Sequence, residues 1–243
     1  MEDRMMLSLD NYKGVFFDLG GTLIDAEKDR QAHLEILQEI ILRYGIPISA
    51  EKALDAHYEY LAEETHKENF ITIWDALKRS LHKLFSEYSP DINLDFSWIK
   101  KIYFKYHEKF VDLYPGVIDL LKFIKEKKKH LGVISDIDND YMEFQLKLFG
   151  IIDMFDSITT SEEVRAYKPN PEIFQKALEK AKISGSEAIH VGDNYWRDII
   201  GAKKFEITTI LVGQPPEEKF IIDNIRPDYV VKNISDVKNL LNK

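Results

Sequence analysis

Val15-Phe16-Phe17-Asp18-Leu19-Gly20-Gly21-Thr22-Leu23 is the stretch that decides the fold of this 243-residue chain. Three bulky apolar residues in a row predict a strand buried on both faces, since a half-exposed strand would alternate. A carboxylate follows at once, and then a Gly-Gly turn through which neither strand nor helix would continue. In an open α/β sheet, chemistry gathers just beyond the carboxyl ends of the strands, and Asp18 falls there. An Asp that merely opens a turn is also common. The meaning of Asp18 therefore rests on what the rest of the chain delivers beside it.

Downstream, residues 26–110 carry no strand pattern. Helices are expected over Asp25–Tyr44, Ala50–Lys67, Ile71–Glu87 and Ser97–Phe110, with Gly45 and Pro47 stopping the first and Ser49 capping the second. From Val117 the character changes and strands alternate with helices. Strands are expected over His130–Ser135, Ser157–Thr160, Ala188–Gly192, Thr208–Val212 and Tyr229–Val231. The helices between and around them are Val117–Lys129, Tyr141–Phe149, Pro171–Lys182, Trp196–Phe205 and one from Ser235. Repeated β-α-β units specify an α/β fold, a doubly wound parallel sheet with helices on both faces. The expected organisation is an α/β core from residues 1–25 and 111–243, with an α-helical cap, residues 26–110, inserted after the first strand.

Composition narrows the function. A net charge of −9 gives no basic field for nucleic acid or an anionic membrane. The lysines between Lys125 and Lys129 read as the solvated, dipole-favoured end of a helix. The absence of cysteine excludes disulfides, thiolate metal sites and cysteine nucleophiles. The opening Met1-Glu2-Asp3-Arg4-Met5-Met6 lacks a signal-peptide pattern, and no apolar run approaches the ~18 residues of a membrane span. The expectation is a cytoplasmic protein acting on a small molecule as a monomer or homodimer, with neither nucleic acid nor membrane as partner. The seven histidines show no metal-ligand spacing, so no zinc site is expected, and His190 is expected to pack within its strand. Phe70, Trp74 and Tyr106 are the aromatic candidates for lining a site from the cap, although helical aromatics usually belong to the core.

Three further segments bring polar groups to the same sheet edge as Asp18. One strand ends in Ser135-Asp136, a loop carries Lys168-Pro169-Asn170-Pro171, and another strand ends in Gly192-Asp193-Asn194 with Asp198 a turn later. Singly, each has an ordinary reading as a helix cap, a surface lysine or a turn former. Together they suit a carboxylate nucleophile attacking a phosphoryl group, which needs anionic repulsion suppressed. Mg²⁺ does this through hard oxygen ligands, and Asp18, Asp193 and the Gly20 carbonyl are the expected set. The glycine is expected to let that carbonyl turn inward. Lys168 would pair with Asp18 and substrate oxygens, Ser135 would donate a hydrogen bond to substrate, and Asp198 would hold a metal-bound water or orient Lys168.

The order DxxGT (Asp18–Thr22), strand-end Ser135, KPxPEIF (Lys168–Phe174) and GDxxxxD (Asp193 with Asp198) resembles the haloacid dehalogenase-like hydrolase superfamily. The likeness spans the whole core, and the helical insertion resembles that superfamily's α-helical cap. The resemblance implies that Asp18 forms an aspartyl intermediate which water then hydrolyses. It also implies supporting places for Thr22, Asp136 and Asn194, and a cap that closes to select substrate.

One position departs from the pattern. The phosphatases of the superfamily carry a second Asp two residues after the nucleophile, as general acid–base, and here that residue is Gly20. The substrate is accordingly expected to be phosphorylated or halogenated. A Mg²⁺-dependent phosphatase leads, because Asp193 and Asp198 form the metal-type final motif. A haloacid dehalogenase would need no acid, but its cap arginine would have to be Arg30 or Arg43. A phosphonate hydrolase would need a cap lysine among Lys67, Lys78 and Lys83. A binding protein that lost turnover with its acid is the fourth reading. Asp25 and Asp136 are the candidates to replace the missing acid.

Overall fold

A β-hairpin cannot return parallel, so each new strand of this sheet has to cross over through a helix or loop. The computed structural model describes residues 7–67 and 69–242. It contains six parallel strands: β1 (Gly14–Phe17), β2 (His130–Ser135), β3 (Ser157–Thr160), β4 (Ala188–Gly192), β5 (Thr208–Val212) and β6 (Tyr229–Val231). Their order is β3-β2-β1-β4-β5-β6, the doubly wound arrangement with its switch point beside β1.

β1 is buried from end to end, as its apolar run requires. Removing a Phe side chain such as Phe16 or Phe17 from water stabilises by about 1.5–3 kcal/mol. Register fixes the rest: Phe17 lies opposite Val133 on one side and Val191 on the other. The residues following these strands consequently emerge at one edge, and the Asp18 N–H continues the ladder to the Val191 carbonyl at 2.9 Å.

The chain divides into two compact units, Met1–Ile24 with Leu113–Lys243, and Asp25–Asp112. The second is helical: α1 (Ala26–Tyr44), α2 (Ala50–Thr65), α3 (Ile73–Ser86) and α4 (Phe96–Phe110). Asp25 caps α1 by accepting from the Glu27 and Lys28 N–H groups, and Gly45 ends it at φ 62°. Ile36, Leu37, Ile40, Leu54, Leu81 and Phe85 are among its buried core, with Leu34, Tyr44, Leu61, Trp74 and Tyr106 half-buried against it. The α/β unit holds α5 (Val117–Glu126), α6 (Asn139–Leu148), the single turn α7 (Ser161–Val164), α8 (Pro171–Ala181), α9 (Gly201–Lys203) and α10 (Ile234–Leu241).

Most boundaries agree with the sequence to within a few residues. The segment expected as one helix, Trp196–Phe205, differs. It opens as a π-helical turn over Tyr195–Ile200 and only then tightens into α9. Such wide turns are frequent at functional sites, and this one carries Asp198.

Candidate active site

Asp18 leaves the end of β1 and is 8% exposed, a carboxylate that needs partners at that depth. Lys168 supplies them from the loop before α8. Its Nζ donates to Asp18 Oδ1 at 2.7 Å, to Asp198 Oδ1 at 2.6 Å and to the Ile134 carbonyl at 3.2 Å. An ammonium has three N–H bonds, and all three are used. Burial works against the charge of Lys168, but Asp18, Asp198 and Asp136 outweigh it and hold the ammonium well above its usual range.

Asp198 is fully buried. Burial would raise its carboxyl, yet Lys168 and His190 hold it well below the ordinary carboxylate range. Its Oδ2 accepts from the Asn194 N–H at 3.0 Å, and its Oδ1 meets His190 Nε2 at 3.0 Å. A Cβ on Gly192 would overlap this carboxylate, so the close approach needs glycine there. His190 was expected to be a packing residue. It does pack edge-on against Phe174, but it also braces Asp198 from within β4. The signal was its strand parity: two residues before Gly192, it points to the same face.

Asp193 receives a hydrogen bond from the buried Thr22 hydroxyl at 3.1 Å. A carboxylate oxygen each of Asp18, Asp193 and Asp198 lies within 4.8 Å of the others. Burial, then the charges of Asp18 and Asp198, push Asp193 up to about 7. Asp193 is exposed as a residue, which weakens the burial contribution; the repulsion from its two neighbours is the part that a cation would remove. Three carboxylates face one ammonium. This donor set, all hard oxygens with excess negative charge, fits a Mg²⁺-sized cation.

The turn after Asp18 corrects one expectation. Gly20 has an ordinary backbone conformation and open space where a Cβ would be, so its glycine is not demanded by the geometry. Gly21 is the constrained position, at φ 75°, and a Cβ there would come within 2.8 Å of Asp193 Cγ. The carbonyl of Gly20 needs no unusual angle to be available.

Ser135 closes β2, 5% exposed and level with Thr160 of β3. Its neighbour Asp136 turns back to accept the Lys168 N–H at 2.8 Å, and Arg197 Nη1 lies 3.6 Å from its other oxygen. Burial pushes Asp136 up to about 6 against the pull of Lys168 and Arg197. Asn194 caps the π-helical turn by accepting from the Arg197 N–H. Asp25, the other candidate replacement acid, is committed as the cap of α1.

The cap residues required by the competing chemistries have surface partners. Arg30 lies 3.8 Å from Asp55, and Arg43 lies 3.8 Å from Asp95 and stacks over Trp98 at 4.1 Å. Lys67 pairs with Glu64, Lys78 with Asp75 and Lys83 with Glu63. Within the lysine run, Lys125 pairs with Asp156 and Lys129 donates to the Tyr12 carbonyl. Among the described residues, no helix is long and apolar enough to cross a membrane.

Comparison with known proteins adds an independent line. Residues 15–212 match the family described as haloacid dehalogenase-like hydrolase. A pyrophosphatase, PpaX, from Bacillus pumilus is 30% identical over 226 residues, covering 92% of this chain and 93% of that protein. A glyceraldehyde 3-phosphate phosphatase from Pyrococcus abyssi is 31% identical over 201 residues, covering 82% and 80%. The structure of an L-2-haloacid dehalogenase from Xanthobacter autotrophicus superposes with a TM-score of 0.74 at 18% identity, over 94% of this chain and 98% of that one. At that identity the likeness carries the fold alone, and the same fold serves different leaving groups. Motif order, sheet topology and the match across residues 15–212 lead to one assignment: the chain belongs to the haloacid dehalogenase-like hydrolase family and is a hydrolase.

Proposed function

We propose that this hydrolase is a Mg²⁺-dependent phosphatase acting on small phosphorylated metabolites whose leaving group is weakly basic. The carrying observation is the cluster of Asp18, Asp193 and Asp198 around a single buried ammonium, Lys168. The names of the phosphatase and pyrophosphatase relatives support it. A dehalogenase displaces halide without a divalent cation and has no use for so many acids.

Asp18, Asp193 and the Gly20 carbonyl would hold Mg²⁺, which supplies neutralisation of the phosphoryl oxygens when bound. Asp18 is the nucleophile. Lys168 engages its Oδ1, which leaves Oδ2 to form a bond to phosphorus as the bond from phosphorus to the leaving oxygen breaks. Lys168 fixes the carboxylate in position, and Ser135 would donate to a phosphoryl oxygen. Water then attacks the phosphorus of the acyl phosphate, releasing phosphate and regenerating Asp18. Asp198 touches no substrate in this scheme; it holds Lys168, and His190 holds Asp198.

Gly20 cannot protonate a leaving alkoxide, and a general acid typically contributes about 10²–10⁴-fold. A phosphoanhydride, an acyl phosphate or an aryl phosphate leaves without that help. Assays across aryl, acyl, anhydride and alkyl phosphates test the reading, with EDTA and Asp18→Asn as controls. The expected result is metal-dependent turnover that falls steeply as leaving-group pKa rises. Metal-independent halide release from 2-chloropropionate, with no phosphate released from any substrate, would overturn it.

A further inference from the structure

We infer that the helical unit carries its own binding site for a Zn²⁺-like divalent cation, formed by Asp29 and His33 of α1 with His107 of α4. One ligand atom of each lies within 4.8 Å of the other two, although 74 residues separate His33 from His107 in the chain. The spacing Asp29–His33 is i,i+4, so both stand on one face of α1, and α4 packs beside that helix. Metal sites in helical bundles are built in this way, from side chains on facing helices.

The tautomers favour a cation. His107 Nδ1 lies 2.7 Å from the Tyr103 carbonyl, which can only accept, so that nitrogen carries a proton and donates it. The other ring nitrogen, Nε2, faces Asp29 Oδ1, 3.4 Å away. A cation seated between that nitrogen and the carboxylate would bind both. The edge of a tetrahedron around Zn²⁺ with bonds of about 2.0–2.1 Å is about 3.3 Å, close to this separation.

His33 gives the second, independent observation. It is 9% exposed, its Nε2 meets the Tyr103 hydroxyl at 2.7 Å, and its buried Nδ1 has no hydrogen-bond partner. Buried polar atoms are rarely left so. Tyr103 thus orients both rings, one through its carbonyl and one through its hydroxyl, as the groups behind metal-bound histidines do.

Two imidazoles and one carboxylate suit Zn²⁺, Co²⁺ or Ni²⁺ far better than Mg²⁺ or Ca²⁺. The Asp29 side chain is 36% exposed, which gives an entry path and leaves a position for water or an exchangeable ligand. All three residues and Tyr103 belong to the helical unit, so the site is independent of the phosphatase reading.

The test uses the full chain, stripped with chelator and titrated with Co²⁺ and Zn²⁺ in excess Mg²⁺. The expected result is one Co²⁺ per chain with the intense visible absorption of four-coordinate cobalt, and a Zn²⁺-dependent rise in melting temperature. Both should vanish in His33→Leu. In Asp29→Asn, whose position is partly exposed and tolerant, affinity should fall at least tenfold. Tyr103→Phe should weaken binding about 10- to 100-fold without removing a ligand. Should His33→Leu fail to fold, the wild type and Asp29→Asn decide alone. The same spectrum and melting shift in Asp29→Asn as in wild type would overturn the proposal, as would folded wild type that takes up neither ion. Persistence of the cobalt spectrum in Asp193→Asn separates this site from the carboxylates of the sheet edge.

Discussion

Lys168 Nζ stands 2.7 Å from Asp18 Oδ1, joining residues 150 positions apart into a pair that is almost wholly removed from water. The same ammonium lies 2.6 Å from Asp198, so one cation is shared by two carboxylates while Asp193 waits nearby with none of its own. The arrangement leaves local negative charge that protein groups do not cancel. Carboxylates held this close repel one another, and a cation among them would remove that cost.

Substitution of Lys168 separates this view from a merely structural ion pair. In Lys168→Met, Asp18 and Asp198 lose their shared cation, and removing one partner of a buried pair costs about 3–5 kcal/mol. Denaturant melts should show that loss together with loss of turnover. Asp18→Asn should behave differently. It forfeits an attraction to Lys168 but also removes repulsion from Asp193 and Asp198, so stability should change by about 1 kcal/mol or less while turnover disappears. A large destabilisation by Asp18→Asn with activity retained would contradict the assignment of Asp18 as nucleophile.

The two adjacent glycines should respond in opposite ways. Gly20 has open space at its Cβ, so Gly20→Asp should fold normally. If the new carboxyl serves as general acid, turnover of alkyl phosphates should rise by about 10²–10⁴-fold relative to aryl phosphates. Gly21→Ala meets both a left-handed backbone at φ 75° and the Asp193 carboxylate. Strain of that kind costs about 1–3 kcal/mol, and displacement of Asp193 should weaken Mg²⁺ binding. Equal tolerance of both substitutions, read by melting temperature and Mg²⁺ titration, would contradict this account of the turn.

The sheet and its edge were legible because their signals are local. Val15–Phe17 announces a buried strand, Gly192-Asp193 a strand end, and Lys168-Pro169 a loop entering a helix; parallel topology then forces those ends together. Relationships across the sheet were harder to read. His190 looked like a packing residue, since its polar role depends on Asp198 reaching under β4 through a π-helical turn that periodicity does not encode. The glycine that the turn requires was misplaced by one residue, from Gly21 to Gly20, because a Gly-Gly pair does not reveal which member takes the positive φ. The histidine cluster of the helical unit was invisible for a similar reason. His33, His57 and His107 are far apart in sequence, and only the packing of α1, α2 and α4 brings them together.

His57, from that same packed interior, makes the chain's acid stability predictable in sign. It is 3% exposed, and its Nδ1 lies 2.7 Å from Ser80 Oγ, whose own proton goes to the His57 carbonyl at 3.0 Å. Burial, reinforced by the neighbouring His33, holds its imidazole down at about 3, against 6.5 for the unperturbed group. Between those two values the unfolded chain binds a proton that the folded chain refuses, so stability falls as pH falls through that window. Above about pH 6.5 the contribution is flat. Each unit of difference is worth 1.36 kcal/mol, which sets an upper bound of about 4–5 kcal/mol by pH 3. His57→Gln keeps a donor toward Ser80 but cannot titrate. Urea midpoints measured from pH 7 to pH 4 should decline less steeply in His57→Gln than in wild type. Parallel pH profiles would mean that His57 is protonated without cost, and the neutral, buried imidazole would then be the wrong description.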